Sequence, residues 1–257
     1  MEYAIYPFLE IRITQRHDEG NHLAHWKPFK DYSDKPWDEA STDGGRQYFV
    51  PQNDYRIVEK LGSQSSGYTV RLETVNKVKI PYQNDSVILE LTLTHLNYDD
   101  YSRLKVGQIL KKNEKAIREG TSGQATGNHL HITANIGKYY GFKKNSNGKW
   151  VFAYDKSLTP PEAFYIDKKI NKIIDSKGYT FQEVPSFLPP RGYFTLGDSG
   201  ENVEKICEYF SNKVKGNYFG KYLKACVKVF QEENNIENDG NIGKITLSKM
   251  EEKGFKE

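Results

Sequence analysis

Between Val87 and Thr94 the chain alternates without a break. Val87, Leu89, Leu91 and Leu93 take one parity, and Ile88, Glu90, Thr92 and Thr94 take the other. A period of two over eight residues marks a strand with one face laid on a core. Tyr68, Val70 and Leu72 show the same alternation upstream. Turn residues punctuate the region at Asp43-Gly44-Gly45, Ser65-Ser66-Gly67 and Asn145-Ser146-Asn147-Gly148. No segment before residue 160 has a helical period. Strands that follow one another without intervening helices pair with their neighbours, so this part is expected to form a mainly antiparallel sheet rather than an α/β layer.

The pattern changes further along. Pro160-Pro161-Glu162-Ala163-Phe164 suits the start of a short helix, with proline at a first helical position. Residues 171–191 read as a closing segment and linker ending in Leu188-Pro189-Pro190-Arg191. Beyond them Val203, Ile206, Cys207 and Phe210 lie at i, i+3, i+4 and i+7, one face of a helix. Cys226, Val227, Val229 and Phe230 continue a second helix, and Ile245 to Met250 makes a third. The expected fold is two-domain α+β: a β-sheet domain over 1–170 and a small three-helix bundle over 192–257, in which the cysteines are small core residues.

The net charge is +3, and residues 191–257 carry eleven charges of each sign, so no basic tract offers a nucleic-acid footprint. No apolar run approaches the roughly 20 residues of a membrane helix, and membrane insertion is not expected. Two cysteines make neither a thiolate zinc site nor a disulfide framework. Any metal must therefore be held by histidine and carboxylate.

All six histidines lie in the first 131 residues. In the run His129-Leu130-His131-Ile132, strand alternation turns both imidazoles one way and the two aliphatic side chains the other. A catalytic zinc takes three protein ligands and keeps one position open. His131 offers one ligand. The stretch from His22 and His25 to Asp38 offers a histidine and a carboxylate from one region. His17 reads as a surface residue. His95 shares parity with Leu89, Leu91 and Leu93, so the pattern alone makes it a core histidine, although it stands at the strand's end. Glu90 and Glu119 read as solvated strand positions.

Three further stretches carry a resemblance. Val106-Gly107-Gln108-Ile109-Leu110-Lys111-Lys112, then Gly120-Thr121-Ser122-Gly123, then Thr126-Gly127-Asn128-His129-Leu130-His131-Ile132 together resemble the lysostaphin-type (LytM-like) zinc endopeptidases of bacterial cell walls. Thr94-His95-Leu96 resembles a segment of the same family, in the right order. The resemblance implies a Zn²⁺ cofactor in a groove of the sheet domain, with His131 and Asp38 as ligands and His95 and His129 as the non-ligand catalytic pair. The family's first ligand stands four residues before the aspartate, where this chain has Asp34. The segment resembles a branch with an insertion there, which leaves His22 and His25 as alternatives for the first ligand.

Leu196 to Val203, Val227 to Asn234 and Asp239 to Thr246 resemble the small three-helix peptidoglycan-binding domain, with Gly240 and Gly243 suited to a tight turn before the last helix. The two resemblances imply a peptidoglycan endopeptidase that cuts stem-peptide crosslinks, with bacterial peptidoglycan as its partner. The phage endolysin layout is implied as well. Residues 1–7 have no basic segment followed by an apolar stretch, so the expectation is synthesis in the host cytoplasm without a signal peptide, and action on the wall after release. The competing expectation is a non-enzymatic wall-binding or scaffold protein with a degenerate peptidase domain.

Overall fold

The computed structural model describes residues 2–26, 34–42, 47–210 and 216–257. They form two compact units, Met1–Val184 and Pro185–Glu257. Among the described residues the first unit is organised by a nine-stranded sheet. In chain order its strands are β1 (Glu10–Gln15), β2 (Trp37–Glu39), β3 (Tyr55–Leu61), β4 (Thr69–Thr74), β5 (Glu90–Thr94), β6 (Ile109–Leu110), β7 (Leu130–Lys144), β8 (Trp150–Leu158) and β9 (Lys172–Asp175). They lie in the order β9-β1-β2-β7-β5-β4-β3-β6, with β8 also paired to β7. Every pairing is antiparallel except β9 with β1.

The alternation in the sequence becomes the sheet's two faces. Leu91 and Leu93 of β5, Val70 and Leu72 of β4, and Leu130, Ile132 and Ala134 of β7 are buried in one apolar core with Trp37, Tyr6 and Phe164. Thr92, Thr94, His131 and Thr133 have the opposite parity. The fifteen-residue strand β7 sits at the centre. Its first residues pair with β2 on one side and β5 on the other, and its later ones form a long hairpin with β8.

Two expectations for this unit are corrected. Residues 171–191 are not a linker. β9 is hydrogen-bonded along β1, Tyr179 and Phe181 pack on the first core, and Phe187 belongs to the second unit's core. All four β9 side chains are exposed, so its place in the sheet rests on backbone bonds to β1 rather than on burial. Short helices also occur before residue 160: α1 (Leu23–Trp26) and α2 (Tyr98–Arg103). The Asn97 side chain caps α2 by accepting from the Asp99 N–H at 3.1 Å. A helix of six residues is too short to show a period.

Among the described residues the second unit has three helices, following α3 (Pro160–Ala163) of the first: α4 (Glu201–Phe210), α5 (Lys221–Glu233) and α6 (Lys244–Glu252). Val203, Ile206 and Cys207 of α4, Leu223 and Val227 of α5, and Leu247 and Met250 of α6 share one core with Phe219, and Phe230 is partly buried against it. Tyr193–Phe194 pairs antiparallel with Ile242–Gly243. Gly240 does take a left-handed φ of +72°. Gly243 does not. Its φ is −90°, and it caps the start of α6. No helix among the described residues is long and apolar enough to cross a membrane.

Candidate metal centre

The strand register builds the centre. His131 is paired directly with Asp38 on β2 and with Thr94 on β5, and paired residues project from the same face. The Asp38 carboxylate Oδ1 lies 3.1 Å from His131 Nδ1. A third group comes from the segment after β1, where a single 3₁₀ turn at Gly20–His22 buries His22 and leads into α1. His22 Nε2 lies 3.3 Å from the same Asp38 oxygen. The ligand atoms of His22, Asp38 and His131 all fall within 4.8 Å of one another. Donors at about 2.0–2.1 Å from a tetrahedral ion are separated by edges of about 3.3 Å, and the two separations match.

His25, the other expectation for the first ligand, does not join them. Its Nδ1 lies 3.2 Å from Asp34 Oδ1, and its ring centroid is 6.0 Å from that of His131. The reason is the direction of the chain. Consecutive turns at 20–26 separate the two rings by 6.5 Å, so only one reaches Asp38.

Backbone carbonyls fix the proton on three of the rings. A carbonyl only accepts, so the imidazole nitrogen facing it must carry the hydrogen. His22 Nδ1 donates to the Arg16 carbonyl at 3.1 Å, His95 Nδ1 to that of Ser122 at 2.6 Å, and His129 Nδ1 to that of Gly127 at 2.9 Å. Each neutral ring then keeps its lone pair on Nε2. His129 Nε2 is 3.7 Å from Asp38 Oδ1, and the His95 and His129 rings are 4.7 Å apart.

His95 departs from the core role its parity suggests. Its φ is +69°, a left-handed conformation unusual for a non-glycine residue, and this turns the chain out of the strand at that position. Ser122, which receives it, is held by two bonds: its hydroxyl donates to the Leu96 carbonyl and accepts from the Tyr68 N–H. Beneath it Gly67 and Gly123 both have left-handed φ, and a Cβ at Gly123 would fall 2.7 Å from the Gly67 nitrogen. The contact admits only glycine.

Electrostatics favour a metal-ready state. Burial raises the Asp38 carboxyl, but the hydrogen bonds and charges of His131 and His22 outweigh it and hold the group well below the usual carboxylate range. Desolvation lowers the His131 imidazole despite Asp38, and lowers His95 to about 4. A carboxylate flanked by two imidazoles is the donor set a divalent ion needs, and the set fits Zn²⁺.

Several neighbours differ from their sequence reading. His17 is buried, and its Nδ1 lies 2.6 Å from the Tyr179 hydroxyl. Glu119 is buried and accepts from the backbone N–H and hydroxyl of Ser41. Glu90 accepts from Arg71 at 2.8 Å and from the Tyr154 hydroxyl at 2.6 Å. Glu39, which the sequence did not single out, is buried beside Asp38 and accepts from the Tyr6 hydroxyl at 2.6 Å. Desolvation pushes its carboxyl up to about 8. An acidic residue inside a short Trp-Asp-Glu strand gives no sign of this, because all three residues of β2 are buried and parity fails.

No family model matches the chain, and no curated protein matches it. Solved structures do. The chain is similar to the structure of LytU at 20% identity, covering 55% of this chain and 81% of that one, with a TM-score of 0.33. It is similar to a zinc-containing peptidase from Vibrio cholerae at 17% identity, covering 61% of this chain and 39% of that one, with a TM-score of 0.33. It is similar to the catalytic domain of the antimicrobial peptidase lysostaphin from Staphylococcus simulans at 20% identity, covering 52% of this chain and 93% of that one, with a TM-score of 0.28.

Proposed function

We propose that the chain is a zinc-dependent peptidoglycan endopeptidase of endolysin type, hydrolysing the stem-peptide crosslinks of bacterial walls. The observation that carries this reading is the convergence of His22 Nε2, Asp38 Oδ1 and His131 Nδ1, with two further imidazoles beside them that are not needed as ligands. His22, Asp38 and His131 are the proposed zinc ligands, and His95 and His129 the proposed catalytic pair. A bound Zn²⁺ supplies Lewis acidity, lowering the pKa of water from about 15.7 to about 7 and polarising a carbonyl.

The chain's own groups supply the proton steps. In the neutral rings of His95 and His129 the lone pair is on Nε2, because Nδ1 donates to a carbonyl. Either ring accepts a proton from the attacking water and returns it to the leaving amine, and the protonated ring stabilises the tetrahedral oxyanion. Asp38 would be the anionic ligand and would balance the charge of the ion. The second unit is proposed to bind the wall. Its open groove near the end of α5 and the start of α6 exposes Ile245 beside Lys244, with Lys249 paired to Glu252 at 2.6 Å.

The test is direct. Purified protein is expected to hold zinc and to release cleaved muropeptides from walls. His131→Ala is expected to lose both. His129→Ala is expected to keep the metal while its kcat falls by about 10²–10⁴. Full wall cleavage by His129→Ala would refute the assignment of that ring, and an inactive protein that still adheres to walls would favour the non-enzymatic alternative.

A further inference from the structure

We propose that His25 and Asp34 form a second divalent-cation site beside the first, an inference that takes His22, Asp38 and His131 as the primary centre. His25 Nδ1 and Asp34 Oδ1 are 3.2 Å apart, yet both atoms are buried and neither makes a hydrogen bond. Asp34 is only 2% exposed. A carboxylate oxygen sealed from water without a donor is costly, and an imidazole nitrogen left in the same state doubles the penalty. With the ring proton on Nε2, the two atoms are acceptors side by side and need a shared positive charge.

The separation is that of two donors on one small cation. It equals, within 0.1 Å, the 3.3 and 3.1 Å separations between donors of the first centre. The pair is also clamped from below, since the Asp34 N–H donates to the His25 carbonyl at 3.3 Å. This bond closes the base of the inserted segment and brings the two side chains together. A carboxylate four residues ahead of Asp38 thus meets an imidazole that the primary centre does not use. The His25 ring stands 6.0 Å from His131 and 6.5 Å from His22, so the second cation would adjoin the first.

One nitrogen and one oxygen donor suit Zn²⁺ better than the all-oxygen shells of Mg²⁺ or Ca²⁺. With two protein donors against three, the second ion is expected to bind roughly tenfold or more weakly than the first and to complete its shell with water. The alternative is a plain ion pair of protonated His25 with Asp34, which needs no metal.

The experiment uses the full chain, stripped with a chelator and titrated with Zn²⁺ by calorimetry. Stoichiometry is checked by elemental analysis and by the visible spectrum of the Co²⁺ form. Wild type is expected to take two ions in two resolved steps. His25→Ala and Asp34→Asn are each expected to take one ion, with the tight step retained, while Asp38→Asn loses the tight step. Asp34→Asn preserves volume and serves if His25→Ala fails to fold, with circular dichroism melts as the check. A wild type that saturates at one ion removes the second site and leaves the primary centre standing. Two ions in both variants, or loss of the tight step in His25→Ala, also overturns the proposal. A wild type that binds no zinc removes the primary centre with it.

Discussion

At the scale of single residues, the proposed function depends on which imidazole nitrogen is free. The carbonyls of Arg16, Ser122 and Gly127 each commit one nitrogen, and so decide which lone pair is left for the proposed ligand and base roles. His95 makes this measurable. Desolvation lowers it from 6.5 to about 4, so the folded protein resists a proton that the unfolded chain accepts. The sign follows. Above pH 6.5 both states are neutral and the contribution is constant. As pH falls from 6.5 toward 4 the unfolded state gains the proton first, and stability declines. The shift of about 2.5 units sets a ceiling of about 3 kcal/mol at about 1.36 per unit. Metal-free wild type is expected to lose unfolding free energy over that window, and His95→Asn to lose measurably less. Chemical denaturation at pH 7 and pH 4.5 checks it, and equal losses in both proteins would count against a desolvated ring. Much of this centre was legible. Alternation in His129-Leu130-His131-Ile132 gave the shared direction of two imidazoles, and Asp38 followed from the resemblance. The choice of His22 over His25 was not legible, because it depends on a 3₁₀ turn that ends at His22 and leaves His25 on the following α1.

At the scale of elements, the long strand β7 does two jobs. Its first residues set His131 against Asp38, and its far end, through the hairpin with β8, returns to the segment that carries His22. At the hairpin tip the side-chain amides of Asn145 and Asn147 both donate to the Ala24 carbonyl, at 3.0 and 2.9 Å. Ala24 lies between His22 and His25. The sheet thus supplies two of the proposed ligands from its strands and braces the third, which sits on a turn with little regular structure of its own. The paired substitution Asn145→Ala and Asn147→Ala is expected to weaken zinc binding about tenfold, in the range that outer groups around ligands command. The global melting temperature is expected to fall as well, since Asn145 is buried and its side chain also accepts from the Asn147 and Lys149 N–H groups, each bond contributing about 1 kcal/mol. Competition with a chromogenic chelator measures the affinity. An unchanged zinc affinity would mean the tip only rests on the turn. In the sequence, Asn145-Ser146-Asn147-Gly148 was visible as a turn, but its partner lies about 120 residues away, beyond any local signal. The same limit hid β9, whose exposed side chains show nothing of the backbone ladder that binds it to β1.

At the scale of the whole molecule, the chain carries two cores that share no residue, one built on Trp37, Tyr6 and the central strands, the other on Phe219, Val203 and Val227. Separate cores predict separate folding, and here the boundary matters. A cut at residue 170 would strip β9, Tyr179 and Phe181 from the first unit, together with the bond between Tyr179 and His17 and the stacking of Arg16 on the Tyr179 ring. Arg16 supplies the carbonyl that orients His22, so such a fragment is expected to fold poorly and to hold zinc weakly. A cut after Val184 leaves all of these in place. The 1–184 fragment is therefore expected to melt cooperatively, to bind zinc as the full chain does, and to cleave small soluble muropeptides at an undiminished rate. It should lose retention on insoluble walls, because tethering to a binding module raises local concentration without altering chemistry. Co-sedimentation with purified walls and mass spectrometry of released muropeptides separate the two effects. Full wall retention by the 1–184 fragment would place the adhesive surface on the first unit. Loss of soluble-substrate cleavage in a folded, zinc-bound fragment would show that the second unit takes part in the reaction itself.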